Sequence, residues 1–231
     1  MHAIRIETEE SKGNFKMPRW FQFMDSWFQP IRQLNRKHSP RMHKHLLSLD
    51  EHDRYLRFGF VASDEHIERY VADIPFDHDC VLGVYNWRLQ LLGLAHVAYS
   101  VDRDLAACAE FGVSVLPGAR GRGLGHRLFA RAAIHARNEG VQLMFIHALS
   151  ENTAMLNIAR DAGAVIEQEA GESDAYLRLP PATFDTRLSE MVEEQLALTD
   201  YRLKREAQRF LALLSELQAR RQGSVTEQGD H

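Results

Sequence analysis

The chain has 231 residues, 45% hydrophobic and 26% charged, with 28 Lys and Arg against 32 Asp and Glu and a formal net charge of −4. This suffices for one sizeable core, and at roughly 100–200 residues per domain it allows one or two domains. The balance gives no global electrostatic case for nucleic acid, and no apolar run approaches the ~18 residues of a membrane span.

Cys80 and Cys108 each sit in an apolar run that reads as a strand, which suits buried thiols better than a disulfide or a nucleophile. The start, Met1 to Glu7, lacks the apolar core of a secretory signal, so a soluble cytoplasmic protein is expected. Of the 12 histidines none shows HExxH or paired Cys/His spacing. His43-Lys44-His45 and Asp77-His78-Asp79 therefore read as surface clusters, and no metal is expected.

In chain order, residues 1–16 are polar and read as a flexible arm. Over 18–34, Trp20, Phe23, Met24, Trp27, Phe28, Ile31 and Leu34 fall on one helical face, interrupted at Pro30. Packing against another element is the expected use of this stripe, ahead of insertion in a membrane surface. Arg32, Arg36, Lys37, Arg41 and Lys44 form a basic stretch, read as a solvated linker and helix face or as a contact for an acidic partner or an outlying ligand phosphate. The first segment, 1–45, is thus an arm followed by an aromatic and basic helical piece.

Residues 46–180 read as one mixed α/β (α+β) domain. Asp50 caps a helix carrying Tyr55, Leu56 and Phe58, and Ser63 or Asp64 caps a second with Ile67, Tyr70 and Val71 inside. Cys80–Tyr85 and Leu91–Tyr99 form an antiparallel hairpin turning at 86–88. Asp102 to Leu105 is a turn, and 107–115 is the third strand. A helix then runs to about Asn138. Val141 to Ala148 is a continuous apolar run, as in a strand buried on both faces. Asn152 heads a short helix, and 164–169 with 175–179 form a last strand pair ending at Pro180-Pro181. Residues 181–222 contain a long helix whose Leu188, Val192, Leu196, Leu203, Phe210 and Leu217 keep helical spacing. Either the aromatic N-terminal segment or the same helix of a second subunit is expected to cover that stripe. The tail, 223–231, reads as disordered.

The stretch Phe111 to Arg131 carries the chemistry. Phe111, Val113 and Val115 alternate with Gly112 and Ser114, Pro117-Gly118 stops the strand, and Arg120-Gly121-Arg122-Gly123-Leu124-Gly125 opens a helix at once. Glycines that let a ligand approach the backbone, free N–H groups and a helix N-terminus make an anion site, and two arginines add phosphate-shaped charge. The spacing is not GxGxxG, and no Gly-Lys-Ser/Thr follows for a Walker A loop.

This order of elements resembles the GNAT acetyltransferase superfamily over roughly residues 46–180. The Arg120-to-Gly125 run fits the family's Arg/Gln-x-x-Gly-x-Gly/Ala signature, and Ala109 to Val115 is similar to its fourth strand. Tyr55-Leu56-Arg57-Phe58 is similar to the acetyltransferase domains of bacterial protein-lysine acetyltransferases.

The resemblance implies a mostly antiparallel central sheet with flanking helices. The co-substrate it implies is acetyl-CoA, its pyrophosphate on the N–H groups of Gly121, Arg122, Gly123, Leu124, Gly125 and His126, flanked by Arg120 and Arg122. The backbone of Val113 and Val115 would bond the pantetheine arm, with the Val115 N–H polarising the thioester carbonyl. Glu110 would be the base that takes the proton of a primary-amine acceptor, and Asn152 would contact the cofactor as well as cap its helix.

One departure stands out. The tyrosine that many members place seven residues after the helix-leading asparagine is Ala159 here. The leaving thiolate then departs without a side-chain acid or uses Ser150, Tyr99 or His147, although His147 reads first as a strand residue held by packing. The acceptor is a small-molecule amine or a lysine, and Asp102, Asp104, Glu169, Glu172 and Asp174 could attract it. The alternatives are a catalytically weak CoA-binding sensor and an interaction module. A homodimer through the C-terminal helix is the expected partner arrangement.

Overall fold

In a computed structural model the described residues are 29–100, 107–169 and 172–226. The expected arm at 1–16, the aromatic run at 18–28, the turn at 102–105 and the last residues of the tail lie outside them. In chain order the elements are β1 (Ile31–Leu34), a 3-10 turn (Arg36–His38), α1 (Ser39–Leu47), α2 (Glu51–Phe58), α3 (Asp64–Asp73), β2 (Cys80–Tyr85), β3 (Leu91–Tyr99), β4 (Cys108–Val115), a second 3-10 turn (Pro117–Ala119), α4 (Leu124–Asn138), β5 (Leu143–Leu149), α5 (Thr153–Asp161), β6 (Val165–Glu169), β7 (Glu172–Arg178) and α6 (Phe184–Thr226).

The strands form one seven-stranded sheet in the order β1-β2-β3-β4-β5-β7-β6. Every pairing is antiparallel except that of β4 with β5. One face packs Leu82, Val84, Ala95, Val97, Phe111 and Met144 against Leu128 and Phe129 of α4 and Leu156 of α5. The other packs Val81, Leu91 and Leu94 against Met42 and Leu46 of α1 and Ile67 and Val71 of α3. Alternate residues of β2 and β3 feed the two faces, as strand geometry demands.

The helix caps are the ones the sequence offers. Asp50 accepts from the Asp53 N–H, Ser63 from His66 and Asn152 from Met155. Arg54 ties α2 down by donating to the carbonyls of Leu47, Leu49 and Ala62 and pairing with Asp64 at 2.7 Å. Cys80 is buried, Cys108 half-buried, and both are free thiols.

Several expectations change. Residues 31–34 are not helical: they form β1, paired with β2, with Ile31 and Leu34 buried. Pro30 lacks an N–H and cannot carry a helix through, and the two buried residues serve a strand edge equally well. The basic stretch divides: Arg36, Lys37 and Lys44 are exposed on a turn and a helix face, as expected, while Arg32 and Arg41 turn to Tyr201. Arg41 donates to the Tyr201 hydroxyl at 2.8 Å, and Arg32 sits 4.0 Å from the centre of the Tyr201 ring, so both dock α6. His45 and Asp79, read as surface residues, are buried.

β5 is fully buried on one face and only half-buried on the other, through Leu143, Phe145 and Leu149. Met144, Ile146 and Ala148 are buried while His147 is exposed. α6 reaches Thr226, past the expected end at 222, and packs by an unexpected face. Ala197 and Tyr201 are buried, and Lys204 and Gln208 donate to the carbonyls of Tyr85 and Trp87. Its apolar stripe, Leu188, Val192, Leu196, Leu203 and Phe210, remains exposed.

Candidate active site

The site begins where two strands part. β4 and β5 pair only at Cys108–Leu143, Ala109–Met144 and Glu110–Phe145. On its other side β4 pairs with β3 along its whole length, and Ser100 N–H to Cys108 O and Leu116 N–H to Leu92 O fix the phase of that ladder. In an antiparallel ladder bonded residues alternate, so positions 108, 110, 112, 114 and 116 spend their backbone groups on β3. Those of Val113 and Val115 face the opening left by β5. The Val115 carbonyl accepts from Arg120 Nε at 3.1 Å.

The glycine-rich turn follows directly. Gly121 and Gly123 have φ of +73° and +69°, which only glycine adopts readily. The first bond of α4 runs from Arg127 N–H to Gly123 O, and no side chain caps this end, so the N–H groups of Leu124, Gly125 and His126 have no partner within the helix. A Cβ at Gly125 would come within 2.9 Å of Ile158 Cδ1, so this glycine brings α4 and α5 together. The Leu124 side chain is core, leaving only its backbone for a ligand.

The two arginines are held differently. Arg122 donates weakly to Gly118 O at 3.4 Å. Arg120 places Nη2 2.6 Å from Oδ2 of Asp53, a close ion contact whose angles are not those of a hydrogen bond. His126 contacts Asp161 at 3.0 Å. Asp53 is buried in the wall of this groove, where its charge opposes any anion until Arg120 offsets it. Nothing in the local pattern at residue 53 announces that role.

Two cavities meet here. The larger, about 510 Å³, runs from Val113 and Val115 past Arg120 and the glycine turn to Asn157 and Ile158. The smaller, about 250 Å³, is lined by Arg57, Phe58, Glu110, Gly112, His147 and Leu149 among others. Leu56, Arg57, Val113, Asn152 and Met155 line both, so the junction is theirs. Asn152 spends its side-chain oxygen on the Met155 N–H and its amide on Leu56 O at 3.3 Å.

Glu110 is exposed to the smaller cavity, at the last residue where β4 and β5 pair. His147 lines the same cavity, its ring stacked on Phe145. Neither cavity is lined by Tyr99 or Ser150. The Tyr99 ring lies near His78 and His135, and burial pushes its hydroxyl far up. Ala159 is fully buried, so that position supplies no acid to either cavity.

Arg57 was not singled out by sequence reasoning. Its guanidinium lies on Gly112, where a Cβ would fall 2.7 Å from Cζ and from both terminal nitrogens. Nη2 donates to Tyr70 Oη at 2.8 Å, and Tyr70 Oη pairs with His96 Nδ1 at 2.8 Å. His96 Nε2 pairs with Asp79 Oδ2 at 2.9 Å. A carboxylate only accepts, so His96 donates to Asp79 and accepts from Tyr70. Burial, then the Arg57 charge, lowers the His96 pKa and keeps the ring neutral, while burial raises that of Tyr70.

The geometry agrees with the comparisons. Residues 50–164 match the acetyltransferase (GNAT) family model. Through this domain the chain belongs to the GNAT acetyltransferase family, and it is an acyltransferase of that family. No curated protein matches the chain in sequence.

Solved structures share the fold. The GNAT domain of Streptomyces lividans PAT is 19% identical, with a TM-score of 0.57 over 65% of this chain and 90% of that one. YncA from Salmonella typhimurium, solved with its cofactor acetyl-CoA, is 16% identical, with a TM-score of 0.53 over 68% and 96%. Spermidine N-acetyltransferase from Vibrio cholerae, in complex with CoA and spermine, is 19% identical, with a TM-score of 0.52 over 65% and 95%. At these identities the likeness is one of fold.

Proposed function

We propose that the protein transfers an acetyl group from acetyl-CoA to a primary amine by direct attack. The observation that carries this is the fork between β4 and β5, which turns the backbone of Val113 and Val115 into a groove ending at an uncapped glycine-rich helix N-terminus. That end offers N–H groups and a favourable dipole to a pyrophosphate, from Gly121 to His126, with Arg122 and the Asp53-bound Arg120 beside it. The Val113 and Val115 backbone would hold the pantetheine as an added strand. The Val115 N–H would donate to the thioester oxygen as charge builds there. Asn152 lines the groove from the α5 side.

An amine with a pKa near 10 must lose a proton before it attacks. Glu110 stands in the smaller cavity, on the acceptor side of the junction, and would accept that proton directly or through water. Replacing Glu110 with Gln is expected to lower kcat about 10²-fold, with acetyl-CoA affinity within threefold of wild type. Calorimetric binding of acetyl-CoA tests the reading itself: no binding to the wild-type chain sinks it. A CoA-binding sensor without turnover is the competing reading, favoured by the buried Ala159, and binding without acetylation of any amine in a panel would support it.

The acceptor partner would be a small-molecule amine or a lysine. A second copy of the chain would be the macromolecular partner, covering the exposed stripe of α6. Leu196, Leu203 and Phe210 are spaced seven apart, and Val192 and Leu213 fall on the adjoining position with Thr199 and Glu206 between them. The stripe thus keeps one apolar position of a coiled-coil seam throughout and the other at its two ends.

A further inference from the structure

We infer that Arg57 is a catalytic residue that stabilises the departing CoA thiolate, taking over from the absent acid at Ala159. The inference rests on the acetyl-transfer reading above. The reacting atoms must lie where the donor groove meets the acceptor cavity, because the acetyl carbon comes from one and the nitrogen from the other. Two polar side chains line that junction. Asn152 spends its oxygen and one of its two amide hydrogens within the protein and carries no charge to set against a thiolate. Arg57 brings a permanent cation.

That cation is held in place. Gly112 leaves it room to lie against the backbone of β4, and Tyr70, His96 and Asp79 form a bonded chain behind it. Tyr70 engages one terminal nitrogen, which leaves further N–H donors on a planar group of five. A preorganised donor of this kind costs no reorganisation when charge develops.

The step balances without another reagent. The amine nitrogen forms its bond to the acetyl carbon, and the C–S bond breaks with its electron pair going to sulfur. Glu110 takes the ammonium's first proton before the attack and passes it to water. It takes the second from the nitrogen as the C–N bond forms and passes it on likewise. The thiolate is paired with Arg57 until CoA dissociates. Protonation of the thiolate then occurs in solvent and needs no acid at 159. Tyr70, His96 and Asp79 act through Arg57 and are positioning residues.

The test is the acidity of bound CoA itself, read from thiolate ultraviolet absorbance in difference spectra against CoA-free protein. In the wild-type complex the CoA thiol is expected to titrate at least one pH unit below the ~8.5 of a free thiol. Arg57→Gln should abolish the shift, and Tyr70→Phe, which keeps the charge but removes its anchor, should reduce it. Alongside, kcat should fall about 10²-fold in Arg57→Gln with KM for acetyl-CoA within threefold. A wild-type complex whose thiol titrates as in solution overturns the inference and leaves the acetyl-transfer reading intact. A shift that survives Arg57→Gln also overturns it. Failure of wild type to bind CoA overturns the acetyl-transfer reading, and the inference falls with it. Should Arg57→Gln not fold, the wild-type and Tyr70→Phe titrations decide alone.

Discussion

The guanidinium of Arg57 lies flat on the backbone of Gly112, with a Cβ at 112 falling 2.7 Å from Cζ and both terminal nitrogens. An alanine there must push the arginine away from the junction. Gly112→Ala is therefore expected to lower kcat/KM between 10-fold and 100-fold while costing about 1 kcal/mol of stability, since the arginine moves more easily than the strand. Gly118 is the control. A Cβ there meets nothing within 4 Å, and Gly118→Ala should behave as wild type. Steady-state kinetics and thermal unfolding of both variants check this, and equal activities would refute the role of the contact.

The uncapped start of α4 makes a second prediction. Gly123 has φ +69° and open space around it, so Gly123→Glu sets a carboxylate beside the free N–H groups in a strained conformation. Strain of ~1–2 kcal/mol and occupation of the anion site by the new charge should together weaken acetyl-CoA binding at least 100-fold by calorimetry. Unchanged affinity would remove the phosphate turn from the mechanism.

Much of this was legible in the chain itself. The apolar runs Cys80–Tyr85 and Leu91–Tyr99, the caps at Asp50, Ser63 and Asn152, and the glycine turn are local signals, and the structure has them where the residues put them. What was not legible depends on contacts between distant residues. Arg57, Tyr70, His96 and Asp79 come from four separate elements or loops, and no spacing links them. The ion contact of Asp53 with Arg120 joins α2 to the phosphate turn across the groove. His45 looked like a surface residue between charges but points Nδ1 at Leu91 O and Nε2 at Ser114, both at 2.9 Å. In α6 the periodicity is real, yet the packed face is a mixed one, with Ala197 and Tyr201 buried on it and Glu190 held by Arg131 and His135 of α4.

Those buried groups set an acid sensitivity with two windows. Burial, against weaker support from the Leu91 carbonyl, lowers His45 from 6.5 to about 4, and burial followed by the Arg32 charge does the same to His38. A depressed folded value means the unfolded chain binds the proton first, so stability falls as pH drops from about 6.5 to about 4. The loss should be ~3 kcal/mol for His45 and smaller for the less enclosed His38. Burial alone would raise Glu190, but hydrogen bonds from His135, Asn138 and Arg131 outweigh it and bring it to about 2. Its contribution is present above 4.5 and lost towards 2. Urea unfolding at pH 7.5, 4.5 and 3 should show both losses, with His45→Gln flattening the first. Identical slopes for variant and wild type would contradict the assignment.

The exposed stripe of α6 supplies the last prediction. Leu196, Leu203 and Phe210 are 48%, 67% and 62% exposed, too open for large apolar residues repeating along one helix face. The helix is 43 residues long, about 65 Å, and its described contacts with the sheet end near Gln208. A helix running on alone in water is marginal, and a seven-residue apolar repeat is satisfied by a like helix. Light scattering is therefore expected to give twice the chain mass of 26.5 kDa for wild type and the single mass for Leu203→Glu combined with Phe210→Glu. Both side chains point away from the sheet, so the doubly substituted chain should keep its fold by circular dichroism and its affinity for acetyl-CoA. A wild-type chain that remains monomeric at the concentrations used for kinetics would defeat the proposal, because the seam would then have no second copy to meet.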